Sequence, residues 1–217
     1  MPEHVDTLIH GRWIVPVVPM GTVLPQHSVA VRQGKITAVL PTDEAAIRFA
    51  AEQEFDLTNH AVIPGLINLH THAAMNLLRG LADDLTLMSW LNDHVWPAES
   101  RHVSAEFVFD GTLLACAEML RGGVTCMNDM YFFPEASARA SLKAGLRANL
   151  GVIVLEFPSA YAADADDYLH KGLATRDEFQ GEPLLSFGIA PHAPYTVTDR
   201  TFAKVLTLSA QLDCPIH

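Results

Sequence analysis

The chain has 217 residues, with 14 Lys and Arg against 25 Asp and Glu, a formal net charge of -11, and 49% hydrophobic residues. That is ample apolar material for a sizeable core. The acidic balance argues against nucleic acid or an anionic membrane surface as a partner, because either needs a basic patch.

The N-terminal stretch Met1-Pro2-Glu3-His4-Val5-Asp6 has neither the basic nor the apolar region of a signal peptide, and no uninterrupted apolar run reaches transmembrane length. A cytoplasmic location is therefore expected. From Leu8 to about Thr58 the pattern predicts short strands and turns rather than helices. Ile14-Val15 precedes Pro16, Val29 and Val31 alternate with polar neighbours, and Lys35 to Val39 follow Gln33-Gly34 as the return arm of a hairpin.

Ala61 to Leu69 reads as a buried strand. Ser104 can cap a helix running through Phe107, Leu114 and Met119 toward Gly122-Gly123, and Val124 to Met127 is the next strand. Glu135 to Gly145 reads as a helix, Ala148 to Leu155 and Leu184 to Ala190 as strands, and Thr198 opens a helix to Leu212. A further strand begins at Pro215-Ile216-His217. Cys116, Cys126 and Cys214 form an odd set without C-x-x-C spacing, which reads as free thiols rather than a disulfide framework or a cysteine metal site.

Strands alternating with helices imply parallel βα units, and this many of them imply an α/β fold of the TIM-type (β/α)8 class. A complete barrel needs eight strands and about 250 residues. The chain reaches only the fifth strand, so it is read as the first half of a barrel. Two open edges would then invite pairing with the missing C-terminal half or with another copy in a homo-oligomer.

His70-Thr71-His72 closes the apolar run Ala61-Val62-Ile63-Pro64-Gly65-Leu66-Ile67-Asn68-Leu69. In a strand, residues i and i+2 share a face, so both imidazoles can reach one metal ion, and imidazole is a preferred zinc ligand. Ordinary polar residues at a strand end are the alternative. Pro64-Gly65 inside the apolar run marks a bend or a close backbone approach.

With these residues, the segment Pro64 to His72 resembles the end of the first barrel strand of the amidohydrolase superfamily. Met75-Asn76-Leu77-Leu78-Arg79-Gly80-Leu81-Ala82-Asp83-Asp84-Leu85, Trp90-Leu91, Trp96-Pro97-Ala98-Glu99, Asp129-Met130-Tyr131 and Ala190-Pro191-His192-Ala193-Pro194-Tyr195 extend the resemblance. They point to the branch of methylthioadenosine/S-adenosylhomocysteine deaminases, chlorohydrolases and triazine hydrolases. The resemblance implies that residues 1–58 supply the N-terminal part of a small β-sandwich and residues 59–217 the first half of the barrel, strands one to five.

It also implies one divalent metal, zinc, held by His70 and His72 with a histidine of strand five and an aspartate of strand eight. His217 aligns two residues before that third ligand and is left unassigned. The proton-handling Glu of strand five and His of strand six would lie beyond residue 217, so no catalytic residue is assigned within the chain. For the intact enzyme the resemblance implies attack of activated water on the amine-bearing carbon of a purine, protonation at ring nitrogen, and release of ammonia.

Carried over in the same way, Glu99 would accept hydrogen bonds from ribose hydroxyls and His192 would contact the nucleoside, with Trp90, Leu87 and Trp96 as an apolar wall. Each has a plainer alternative, a solvated loop acid, a satisfied loop histidine and ordinary core. Asn76 and Arg79 belong to the signature, though Arg79 can equally hold a loop. Asp129 is a candidate to support a metal-ligating histidine through a hydrogen bond. Val152 aligns with a strand-three arginine that in some relatives pairs with the carboxylate of S-adenosylhomocysteine. Methylthioadenosine, which lacks that carboxylate, therefore leads as substrate, with S-adenosylhomocysteine or adenosine behind it.

Three rivals stand beside this reading. One is a triazine, guanine or cytosine-type hydrolase of the same branch, which fold alone does not exclude. Another is a binuclear amide hydrolase using a carboxylated lysine, against which stands the lack of any lysine between Leu184 and Tyr195. The third is a non-catalytic fragment that binds a partner along an exposed barrel edge.

Overall fold

A computed structural model describes residues 1–217, which form two compact units, Met1–Pro64 and Gly65–His217. In the first unit, strands β1 (Glu3–Ile14), β2 (Leu24–Arg32), β3 (Lys35–Pro41) and β4 (Phe49–Val62) form a sheet in the order β3-β2-β1-β4. β1 runs antiparallel to β2 and parallel to β4. Gln33 and Gly34 both take left-handed conformations, φ 52° and 71°, which closes the expected β2–β3 hairpin in two residues.

The expectation of a helix-free N-terminal region is corrected by α1 (Thr42–Arg48), which carries Asp43 and Glu44 in its first turn and Arg48 in its last. Those charges complement the helix dipole, but seven residues are too few to show a periodic apolar pattern. Ala45 of α1 packs with Val5, Leu8, Ala30 and Phe49 in the core of this unit.

The second unit is built on β5 (Leu66–Thr71), β6 (Val124–Met130), β7 (Arg147–Val154) and β8 (Leu185–Pro191), a parallel sheet in strict chain order. Between β5 and β6 lie a 3-10 turn at Ala73–Leu78, α2 (Leu87–Ser89), a π turn at Trp90–Val95, α3 (Trp96–His102) and α4 (Ala105–Arg121). α5 (Pro134–Ala144), α6 (Ala165–Glu178) and α7 (Asp199–Leu212) follow the later strands. Sequential parallel strands with helical crossovers are half of the expected barrel. A fifth strand begins where predicted, because Ile216 bridges Ile189 in parallel and His217 N–H donates to the Ile189 carbonyl at 2.9 Å.

Local signals set most of these boundaries. The Ser104 hydroxyl accepts from Phe107 N–H to cap α4, Thr198 caps α7 through Thr201 N–H, and Gly145 ends α5 at φ 73°. α6 was not anticipated, although Asp164 caps it by accepting from Asp167 N–H. Nor was the helical stretch from Leu87 to His102. The single strand read over Ala61–Leu69 is two: Ala61-Val62 end β4, and β5 starts at Leu66 after the Ile63-Pro64-Gly65 break.

β5 is not buried as expected. Leu66, Ile67 and Leu69 are 52%, 61% and 71% exposed, because β5 is an edge strand with β6 on one side only. The buried strand is β7, whose Ala148, Leu150, Val152 and Val154 alternate onto the helix-covered face. No helix is long and apolar enough to cross a membrane.

Candidate active site

His70 and His72 stand at the C-terminal end of β5 with ring centroids 5.0 Å apart, as the i, i+2 spacing requires. His72 Nδ1 lies 2.6 Å from the Met130 carbonyl oxygen, at the end of neighbouring β6. A carbonyl only accepts, so this contact puts the imidazole proton on Nδ1 and leaves the Nε2 lone pair free. That is the tautomer a metal ligand needs, fixed by a backbone partner.

His70 is engaged differently. Its Nδ1 is 2.9 Å from His217 Nε2, and Asn128 Nδ2 reaches His217 Nδ1 at 3.0 Å while also donating to the Leu69 carbonyl. Asn149 Nδ2 donates to Asn128 Oδ1 and Ser186 Oγ donates to Asn149 Oδ1, which extends one polar ladder across β8, β7, β6 and β5. Because the Asn128 amide donates to His217 Nδ1, His217 carries its proton on Nε2 and shares it with His70. No three His, Cys, Asp or Glu side chains are already gathered around one point. The chain thus offers part of a donor set, in which His72 is free to ligate and His70 must first release its bond to His217.

A cavity of about 630 Å³ opens beside His72 and is lined by Glu99, His192, Trp90, Trp96, Tyr131 and Phe157 among others. Glu99 comes from α3 and is half-buried. Its Oε1 accepts a 2.6 Å hydrogen bond from Tyr131 Oη. Burial pushes the Glu99 carboxyl above its ordinary range, while the Tyr131 bond and the nearby His72 pull it down. Tyr131 itself is buried, and its phenol is pushed far up, first by burial and then by the Glu99 charge, so it acts only as a donor.

His192 follows β8 directly. Thr196 Oγ1 donates to the Ala193 carbonyl and lies 2.9 Å from His192 Nδ1, so it accepts there and Nδ1 is the protonated nitrogen. Burial holds the ring's pKa below the usual value, with a smaller push from His72, so His192 is neutral at pH 7 and its Nε2 is an acceptor. The cavity therefore combines one carboxylate, two imidazole acceptors and an apolar wall. Such a surface suits a ligand with an aromatic ring and several donors.

Comparison with known proteins places this arrangement in a lineage. The amidohydrolase family profile matches residues 61–217. The chain belongs to the amidohydrolase family. It is 46% identical to a 5-methylthioadenosine/S-adenosylhomocysteine deaminase of Saccharophagus degradans over 98% of this chain and 48% of that protein. It is 50% identical to the like-named protein of Thermodesulfovibrio yellowstonii over 72% of this chain and 36% of that one. Among solved structures, an adenosine deaminase from Xanthomonas campestris with bound zinc superposes with a TM-score of 0.97 at 47% identity, covering all of this chain and 49% of that one. A zinc complex of an atrazine chlorohydrolase from Arthrobacter aurescens gives 0.86 at 18% identity, over 97% of this chain and 52% of the other, which speaks for the fold alone. The chain spans about half the length of the relatives it matches.

Of the residues singled out from the amidohydrolase signature, His72, Trp90, Glu99 and His192 meet in the cavity, with Trp96. His70 is exposed outside its lining, and Leu87 is 59% exposed and also outside it. Arg79 pairs with Glu118 of α4, and Asn76 donates to the same carboxylate at 3.0 Å. Both therefore fasten the segment after β5 to α4, within the wall of a second cavity of about 400 Å³. Asp129 makes no hydrogen bond to a histidine ring. Its Oδ1 accepts from Ala73 N–H at 2.7 Å, and the Met130 carbonyl does the work expected of it at His72.

The alignment of Val152 with a substrate-facing arginine is corrected by its direction. A Cβ built on Gly172 of α6 would lie 2.4 Å from Val152 Cγ1, so Val152 points into the helix layer and away from the cavity. Its inward neighbour on β7 is Ile153. Two site features escaped the sequence reading: the Met130 carbonyl, which side-chain motifs cannot reveal, and Tyr131 as the partner of Glu99. The only available signal for the latter was the Asp129-Met130-Tyr131 run at a strand end.

Proposed function

We propose that this chain forms the first half of the barrel of a divalent-metal-dependent aminohydrolase, and that the complete protein removes the amino group of an adenine nucleoside as ammonia. The observation that carries the reading is the cavity that brings the free Nε2 of His72 together with the Glu99 carboxylate, His192 Nε2 and Trp90. His70 and His72 are the chain's proposed metal ligands, with zinc as the ion. When bound, such an ion supplies water activated as a nucleophile near neutral pH.

The chain's own residues do the rest of the positioning in this half. Glu99 accepts from the ribose hydroxyls, His192 accepts through Nε2 from a donor on the nucleoside, and Trp90 with Trp96 shields the base from water. With Val152 removed from the argument, the preference for 5'-methylthioadenosine over S-adenosylhomocysteine rests on the cavity lining. None of the lining residues is Arg or Lys, and Glu99 is the only carboxylate there, so an amino-acid tail finds no cationic partner from this chain. The sheet of residues 1–64 is proposed as part of a small β-sandwich. The free edge of β5 suits closure by later barrel strands or by a second copy.

The test is made on the protein that carries these residues together with the rest of the barrel. Metal analysis should find about one zinc ion per chain, and ammonia release should be fastest with 5'-methylthioadenosine, ahead of S-adenosylhomocysteine and adenosine. Turnover of guanine or a chlorinated triazine with the nucleosides inert would overturn the proposal.

A further inference from the structure

The structure assigns Tyr131 as a positioning residue that holds the Glu99 carboxylate aimed for a ribose diol, an inference that rests on the nucleoside reading of the cavity. Tyr131 immediately follows β6 and is 5% exposed. Its ring is fixed among Ala74, Val103, Val108 and Ala136. Its hydroxyl has one partner, Glu99 Oε1 at 2.6 Å. Such a bond to a carboxylate is short and charge-assisted, and its direction is set by a ring that cannot swing away.

Two consequences follow from that geometry. The Glu99 side chain arrives from α3, on a different element from Tyr131, and the phenol makes its one side-chain hydrogen bond, so without it no bond fixes the orientation of the carboxyl plane. With Oε1 tied down, Oε2 is the oxygen presented to a ligand with its full acceptor capacity. Burial raises the cost of keeping Glu99 ionised, and the phenol offsets it. Groups facing Glu99 are His72 from β5's end and the Tyr131 phenol from β6's end, and no lysine or arginine lines the cavity to replace that support.

Tyr131→Phe keeps the ring and removes only the donor. In the zinc-loaded protein with its complete barrel, the KM for 5'-methylthioadenosine should rise about 10- to 100-fold, as expected for a lost hydrogen bond to a charged group, with kcat changed far less. Turnover of adenine, which has no ribose, should be unaffected. In a Glu99→Ala background, which leaves the phenol no side-chain oxygen to hold, Tyr131→Phe should cost no further affinity. Binding of 5'-methylthioinosine by calorimetry gives the same comparison without turnover, and thermal melts report whether the variant folds. If Tyr131→Phe harms adenine and nucleoside equally, or still costs affinity in Glu99→Ala, Tyr131 is a wall residue and the inference fails. If Glu99→Gln alone raises nucleoside KM while Tyr131→Phe is silent, only the Tyr131 inference fails. A silent Glu99→Gln overturns the ribose reading, and this inference with it.

Discussion

Replacing Asp129 with asparagine should change how the stability of the metal-free chain depends on pH. Asp129 is 2% exposed, and burial pushes its carboxyl up to about 6 from an ordinary 3.8, against the pull of hydrogen bonds from Ala73 N–H, Ser137 and the Met130 backbone. The folded pKa therefore lies above the unfolded one, so the folded state binds more protons between those values. Its contribution is fully present below about pH 3.8 and is lost as pH rises through about 6. At about 1.36 kcal/mol per pH unit, the gap corresponds to about 3 kcal/mol. The substituted carboxamide cannot ionise, yet its oxygen still accepts from Ala73 N–H. Urea unfolding of both proteins in chelator at about pH 4, 5, 6 and 7 isolates this group, because every other titration is common to the pair. The parent's stability relative to Asp129→Asn should fall by up to about 3 kcal/mol across that range. Parallel curves, or a parent that gains on the variant as pH rises, would refute the reasoning.

Gly111→Ala places a Cβ 2.4 Å from the Ala74 carbonyl oxygen and 2.9 Å from Ala74 Cα, backbone that cannot move aside cheaply. It should cost about 1–3 kcal/mol by denaturant midpoint and weaken zinc retention, since the displaced segment begins one residue after His72. Glu99→Gln in the complete protein should lower kcat/KM for 5'-methylthioadenosine about 10- to 100-fold while sparing adenine, checked by ammonia release. Zinc removal by chelation should abolish deamination without altering the far-ultraviolet circular dichroism, and His72→Ala should prevent its recovery on zinc addition. Retained activity in the chelated protein would count against the metal reading.

The second unit was largely legible because its strands and helices carry independent punctuation: Ser104 and Thr198 as caps, Gly122-Gly123 and Gly145 as stops. α6 was missed because its sequence, Ala165 to Glu178, is polar on average and its buried residues include Gly172 and Thr175. Gly172 is needed where Val152 abuts the helix, and both residues weaken the apolar signal. Burial of β5 was misjudged because apolar composition reports what a strand can bury, whereas exposure depends on which neighbours it has. At the site, the pairing of His70 and His72 follows from strand period. The direction of Val152 depends on the same period, counted from a start that only the structure supplies, and an error of one residue reverses the face.

The end of β6 ties these observations together. Asp129 holds Ala73 N–H through its side chain, Met130 holds His72 through its carbonyl, and Tyr131 holds Glu99 through its hydroxyl. Three successive residues thus fix the turn after β5, the tautomer of a proposed metal ligand and the aim of the proposed ribose carboxylate. Each uses a different kind of group, so no single substitution removes all three bonds, but a displacement of the strand end shifts them together. A perturbation of the packing beneath it, at Met127 or Cys116 in the layer shared with α4 and α5, should therefore degrade zinc affinity and nucleoside KM in parallel. Tyr131→Phe, by contrast, should separate the two, because it releases Glu99 and leaves the bond from His72 to Met130 intact.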